Sequence, residues 1–210
     1  QILKIKYENS IHEIRVNLVG KIQLKNILMA VIAASKSNLD LKKIFSVIPR
    51  LSPVEGRLEK VGKIKNKSLV FLDYAHTPDA LQTCILNIRE QFPDKHISVL
   101  FGCGGDRDKG KRSKMGKIAD KYADKIYLTD DNPRREVPKK IRDEIKRGIK
   151  KNQIIEISNR KEAIVKAINN LNTGNILIVA SKGHEKIQQI GNRKVFLSDR
   201  QIILNSIKKK

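Results

Sequence analysis

From residue 54 onward, short runs of β-branched and other apolar residues alternate with stretches whose apolar positions recur at the helical period. Ser68 to Asp73, Ile97 to Phe101, Lys125 to Thr129, Ile154 to Ile157 and Ile176 to Ala180 read as strands, each apolar enough to be buried on both faces. Between them, Leu81, Cys84, Ile85 and Ile88 mark one helix, and Ile164, Ala167, Ile168 and Leu171 mark another. Strands separated by helices of this length predict an α/β fold, a Rossmann-like doubly wound, mostly parallel sheet. The first fifty residues carry a different pattern: a strand or hairpin, a helix over Leu24 to Ser35, and a second helix opening at Asp40, a suitable N-cap. Pro49 to Pro53, with two prolines and a serine, reads as a linker. The boundary therefore falls near Val54, dividing the chain into 1–53 and 54–210.

Composition narrows the class. The chain has 210 residues, 40% of them hydrophobic, enough to bury a real core. No run approaches the roughly 20 apolar residues that cross a bilayer, and the sequence opens with neither a basic-then-apolar leader nor a Met. The expectation is a cytoplasmic protein whose beginning is missing. Cys84 and Cys103 lack CxxC or Cys/His ligand spacing, which fits a reduced setting and no metal site. The net charge of +22 favours an anionic partner, nucleic acid first among them. Most of the lysines are scattered, however, and with four Tyr, five Phe and no Trp there is little to stack bases on. The charge reads mainly as a solvated surface that attracts phosphorylated substrates, with a basic nucleic-acid-binding module as the alternative.

In an open α/β sheet, ligands gather beyond the carboxyl ends of the strands, and four of the loops there are rich in polar residues. The first runs Asp73-Tyr74-Ala75-His76-Thr77-Pro78-Asp79-Ala80. A carboxylate at a strand end suits ribose hydroxyls, although capping of the next helix explains Asp73 and Thr77 equally well. The second, Gly102 to Arg112, begins like a dinucleotide fingerprint but carries Arg107 where the third glycine belongs. That argues against a hydride-transfer cofactor; glycines followed by fixed cations suit carboxylates or phosphates instead. The third, Asp130 to Glu136, offers an acceptor for an ammonium, a bidentate amide at Asn132 and a guanidinium fork at Arg134 on a turn stiffened by Pro133. Taken alone it is also an ordinary Asn-Pro turn. The fourth, Ser181-Lys182-Gly183-His184-Glu185, brings an acid and a base to the same sheet edge.

In this order and spacing, Gly56 to Glu59 (GRLE), Asp73 to Leu81 (DYAHTPDAL), Gly102 to Arg112 (GCGGDRDKGKR), Asp131 to Arg134 (DNPR) and Lys182 to Glu185 (KGHE) resemble the Mur ligases, and among them the diaminopimelate-adding branch. Gly20 to Asn26 is similar to the helix that ends the family's central ATP domain. The resemblance implies an ATP-dependent ligase of peptidoglycan precursor synthesis. ATP phosphorylates the D-glutamate side-chain carboxylate of a UDP-linked muramoyl dipeptide, and the meso-diaminopimelate amine attacks the acyl phosphate through a tetrahedral intermediate. It also implies Arg57 near the ATP phosphates, Asp73 at the ribose, and His76 and Asn26 close to the nucleotide. Meso-diaminopimelate would meet Arg107, Asp131, Asn132, Pro133, Arg134, Ser181 and Glu185; Ser181 stands where the family usually has glycine. Arg134 makes sense as the discriminator, because lysine lacks the second carboxylate that a buried guanidinium needs. No catalytic residue is assigned. The sequence contains no G-x-x-x-x-G-K-[ST] phosphate loop. The resemblance thus leaves the triphosphate, Mg2+ and the nucleotide sugar mainly to other domains. It implies a chain that is inactive alone, a monomer that positions the amine, with small-molecule partners and neither nucleic acid nor membrane.

Overall fold

The computed structural model describes residues 1–7, 9–151 and 153–209. They form two compact units, Gln1–Val54 and Glu55–Lys210.

In the first unit, strands β1 (Ile2–Tyr7) and β2 (Ser10–Arg15) pair as an antiparallel hairpin, Ile2 opposite Arg15. Helices α1 (Lys21–Lys36) and α2 (Leu41–Val47) follow, then a 3₁₀ turn over Ile48–Arg50. Asp40 does cap α2: its carboxylate accepts the Lys43 N–H at 2.9 Å. Helix α1 starts earlier than the apolar pattern indicates, because its first turn presents polar Lys21 and Gln23, which carry no periodic signal. Leu3, Ile14, Val16, Leu18, Ile27 and Ile48 bury between hairpin and helices as a small core.

In the second unit the elements run β3 (Glu59–Lys63), β4 (Leu69–Leu72), α3 (Pro78–Gln91), β5 (Ile97–Phe101), α4 (Gly110–Tyr122), β6 (Lys125–Leu128), α5 (Pro138–Lys146), β7 (Ile154–Glu156), α6 (Arg160–Asn169), β8 (Ile176–Val179), β9 (Ile187–Ile190), β10 (Arg193–Phe196) and α7 (Asp199–Lys209). Six strands make one sheet in the order β3-β4-β8-β5-β6-β7, parallel except for the antiparallel edge strand β3. Strands β9 and β10 form a separate antiparallel hairpin.

The five expected strands are all present, and their ends explain the site. Asp73, Thr129 and Ala180 leave the strands proper, yet their N–H groups still donate to Val179, Phe101 and Leu100 of the neighbouring strand. Their side chains are thus launched from the sheet edge in fixed directions. Leu72, Leu100, Leu177 and Val179 pack with Ile164 and Ile168 of α6 in one core. The pleat turns Phe71, Val99 and Ile178, all fully buried, to the opposite face. Burial on both faces fails for β7, where Ile154 and Ile155 are half-buried and Glu156 is exposed, because β7 is an edge strand with a neighbour on one side only. Not all of the charge is solvated surface: Arg112, Arg160 and Lys182 rank among the largest fully buried side chains. Arg160 is held by Asp199 at 2.6 Å, both side chains inaccessible to solvent.

Candidate functional site

Because β4, β8, β5 and β6 are adjacent and parallel, the four suspected loops leave the same edge side by side. Glycines let them approach closely. A Cβ on Gly105 would lie 1.9 Å from the Pro133 carbonyl oxygen, and one on Gly56 would lie 2.4 Å from the His184 nitrogen. Substitution at either position would push two loops apart.

At the β4 end, the Asp73 carboxylate accepts the Leu58 N–H at 2.6 Å and the Ala75 N–H at 2.8 Å. Burial pushes its pKa up, and these N–H groups and Arg57 only partly offset that. Asp73 therefore does not cap α3; Thr77 does, accepting the Ala80 N–H at 3.3 Å, with Pro78 in the first turn. Above the strand end, Tyr74 carries the Arg57 guanidinium 4.8 Å from its ring centre, with His76 and His184 rings at 4.5 and 5.3 Å.

At the β8 end, Ser181 adopts φ 87°, left-handed backbone that favours glycine, and its hydroxyl donates to the Gly102 carbonyl at 2.8 Å. Glu185 is the junction of the loops: its carboxylate accepts from Tyr74 Oη at 3.3 Å, Asn132 Nδ2 at 2.9 Å and Lys182 Nζ at 3.0 Å. Burial works to raise its pKa, but Lys182, Asn132 and Tyr74 together hold the carboxyl below the usual range.

At the β6 end, Asp131 and Asn132 are buried and Arg134 is half-buried. Asp130 is occupied elsewhere, paired with Arg142. The Asp131 carboxylate accepts no hydrogen bond from the described residues; burial pushes its pKa up against the pull of Arg160 and Lys182. Arg134 has φ 50°, and its guanidinium donates to the Gly105 carbonyl at 2.8 Å. Arg134, expected to be a buried guanidinium, is half-buried and part of its fork is already satisfied by backbone, so an absent ligand carboxylate carries a smaller desolvation penalty than expected.

The glycine loop is tied to the 130s loop by Glu136. Arg112, fully buried, grips Glu136 through both terminal nitrogens at 2.9 Å and also reaches Glu144 at 2.7 Å. Glu136 in turn accepts the Asp106 N–H at 2.7 Å, and Arg112 holds its carboxyl down at about 2. The thiol of Cys103, in the same loop, is pushed by burial to about 12 and stays protonated.

The structure thus links Arg57, through Tyr74, to Glu185 and Asn132, with Asp73, Asp131, Pro133, Arg134 and Ser181 in the same loops. Arg107 stays exposed and donates to its neighbour's carbonyl, that of Asp106, at 3.0 Å. His76 is exposed beside Tyr74. Asn26 lies on α1 of the first unit. Three participants escaped the sequence reading: Tyr74, Lys182 and strand β9. Strand β9 accepts the Arg134 N–H at Gln189 O at 3.0 Å, and its Gln188 side chain donates to the Asp131 carbonyl at 2.6 Å. The dipeptide Gly191-Asn192 between two short strands is the hairpin signal that would have found it. Among the described residues, no group of three or more His, Cys, Asp or Glu side chains is placed to hold a metal ion.

The family model for the Mur ligase, glutamate ligase domain, matches residues 56–183. The chain belongs to the Mur ligase family. Mur ligases named UDP-N-acetylmuramoyl-L-alanyl-D-glutamate--2,6-diaminopimelate ligase are similar along most of it. The one from Rickettsia felis is 44% identical over 188 residues, 89% of this chain and 35% of its own length. The one from Rhizobium meliloti is 45% identical over 199 residues, 95% of this chain and 40% of its own. A solved structure of an enzyme of that name superposes with a TM-score of 0.75 at 31% identity, covering 99% of this chain and 42% of the other. The chain thus spans roughly two fifths of the length of these Mur ligases.

Proposed function

We propose that this chain is the amino-acid-accepting part of an ATP-dependent ligase that adds meso-diaminopimelate to the D-glutamate of UDP-N-acetylmuramoyl-L-alanyl-D-glutamate. Residues 54–210 form its C-terminal domain, and 1–53 the end of its central ATP-binding domain plus the linker. The single observation that carries the reading is the meeting of Asp131, Asn132, Arg134 and Glu185 at one sheet edge in a Mur ligase fold. Two carboxylates suit the ammonium at the far end of diaminopimelate, and a guanidinium suits the second carboxylate beside it, which lysine lacks.

The part played by these residues is positioning. Asp131 and Glu185 receive the ammonium at the end of the amino acid away from the attacking amine, Asn132 and Arg134 fix the second carboxylate there, and the glycine loop closes the site with Arg107 at its rim. Pro133 and Ser181 shape the backbone between them. For ATP, the donor set fits. Asp73 keeps lone pairs free beyond the two backbone N–H groups it accepts, which suits ribose hydroxyls, and the Arg57 guanidinium beside Tyr74 suits phosphate. His76 and Asn26 would serve the nucleotide. ATP supplies the phosphoryl group that activates the glutamate carboxylate. The described residues form no group of three or more His, Cys, Asp or Glu for Mg2+, which leaves the ion to other parts of the ligase. No helix among them is long and apolar enough to cross a membrane, and we read the enzyme as cytoplasmic and monomeric. The relatives lend the nucleic-acid-binding alternative no support.

The test is calorimetric titration of the purified chain with meso-diaminopimelate and with L-lysine. Binding of the first and not the second is expected; equal binding of both, or of neither, contradicts the amino-acid site as described.

A further inference from the structure

Lys182 is fully buried, yet all three hydrogens of its ammonium have acceptors: Glu185 Oε2 at 3.0 Å, the Ile187 carbonyl at 2.7 Å and Asn132 Oδ1 at 3.4 Å. Gln189 N–H donates to the same Asn132 oxygen at 2.9 Å. With two donors on its oxygen, the Asn132 amide has one orientation, and its Nδ2 faces Glu185 at 2.9 Å. Lys182, Asn132 and Glu185 therefore close a ring of hydrogen bonds joining two loops of the site to β9. Charge balance sharpens the point. The ionisable groups acting on Asp131 are Arg160, Lys182, Glu185 and Asp199; Tyr74 donates to Glu185 from the third loop. Counting Asp131 itself, three carboxylates share these two cations, which leaves acceptor capacity for an incoming ammonium. Without Lys182 the same carboxylates would share Arg160 alone, and one of them would take up a proton instead.

We propose that Lys182 is a positioning residue for the amino-acid substrate: its buried ammonium orients Asn132 and Glu185 and keeps Glu185 ionised to receive the substrate's ammonium. The proposal rests on the amino-acid-binding reading of the site. Lys182 acts through Glu185 and Asn132 and does not itself touch the amino acid.

The test compares the whole chain with Lys182→Met, Glu185→Gln and the double variant, titrating meso-diaminopimelate from pH 5 to pH 9. If Lys182→Met does not fold, Lys182→Gln, which keeps a donor without the charge, replaces it. Loss of the charged hydrogen bonds predicts affinity about tenfold weaker in Lys182→Met at pH 7. As pH falls, binding disappears at a higher pH in that variant than in the parent. In the Glu185→Gln background most of the effect vanishes. An unchanged affinity and pH profile, or a loss that simply adds to that of Glu185→Gln, overturns the proposal. If the parent chain binds no diaminopimelate, the amino-acid reading fails by itself. The claim about Lys182 is then decided by carbon-13 NMR titration of the Glu185 carboxyl: a pKa raised in Lys182→Met supports it, and an unshifted pKa refutes it.

Discussion

Ser181 sets a backbone preference against a hydrogen bond, and substitutions there separate the two. At φ 87° a residue with a Cβ sits in left-handed backbone, which costs about 1–2 kcal/mol relative to glycine. The hydroxyl offsets this by donating to the buried Gly102 carbonyl at 2.8 Å, a contribution of about 0.5–1.5 kcal/mol. Ser181→Ala keeps the strain and loses the bond, so it should destabilise by about 1 kcal/mol or somewhat more. Ser181→Gly loses the same bond but sheds the strain, less about 0.5–1 kcal/mol for the freer unfolded chain. Glycine should therefore exceed alanine by about 0.5–1 kcal/mol, a midpoint difference of about 0.3–0.5 M urea at a slope near 2 kcal/mol/M. The assay is urea unfolding followed by the near-ultraviolet tyrosine signal, since Tyr74, Tyr122 and Tyr127 of the chain's four tyrosines lie in the second unit. An alanine variant as stable as the glycine variant, or more so, would refute the argument from backbone strain.

Arg134→Ala should weaken meso-diaminopimelate binding about tenfold or more, with little change for L-lysine, in calorimetric titration. Asp199→Ala leaves the Arg160 guanidinium buried without its counter-ion and should cost about 3–5 kcal/mol in chemical denaturation. The paired change Arg160→Met with Asp199→Leu should restore most of that. Glu136 has a folded pKa of about 2, lowered by Arg112. A lowered pKa contributes stability that is present above the unfolded value and lost as pH falls through the folded one. The difference in urea midpoint between the parent and Glu136→Gln should accordingly be full at pH 7, shrink below the ordinary glutamate range and vanish near pH 2. Gly105→Ala places a Cβ 1.9 Å from the Pro133 oxygen, and should lower both stability and diaminopimelate affinity in the same assays.

The parallel core was legible because buried strands such as Ile97–Phe101 and Ile176–Val179 are apolar along their whole length. Strand β3, EKVGK, was not legible: it is an edge strand with polar residues and a register shift between Lys60 and Gly62. Strands β9 and β10 hid for a similar reason, since Gln188, Gln189, Arg193 and Lys194 leave no alternating apolar face. The site loops were visible as unusual strings at strand ends, and the sheet order put them together. What spacing could not reveal was which polar side chains are buried. Lys182 and Arg160 look like any other basic residue of this lysine-rich chain. Their burial depends on Asn132 and Asp199, partners 50 and 39 residues away in sequence.

The most direct test of the central claim is nitrogen-15 NMR of the chain as meso-diaminopimelate is added. The account predicts saturable shifts concentrated at Gly104 to Arg107, Asp131 to Arg134 and Ser181 to Glu185. Saturable shifts confined to other surfaces, such as the cleft lined by Ser158, Lys161 and Phe196, or no saturable shifts at all, would contradict it.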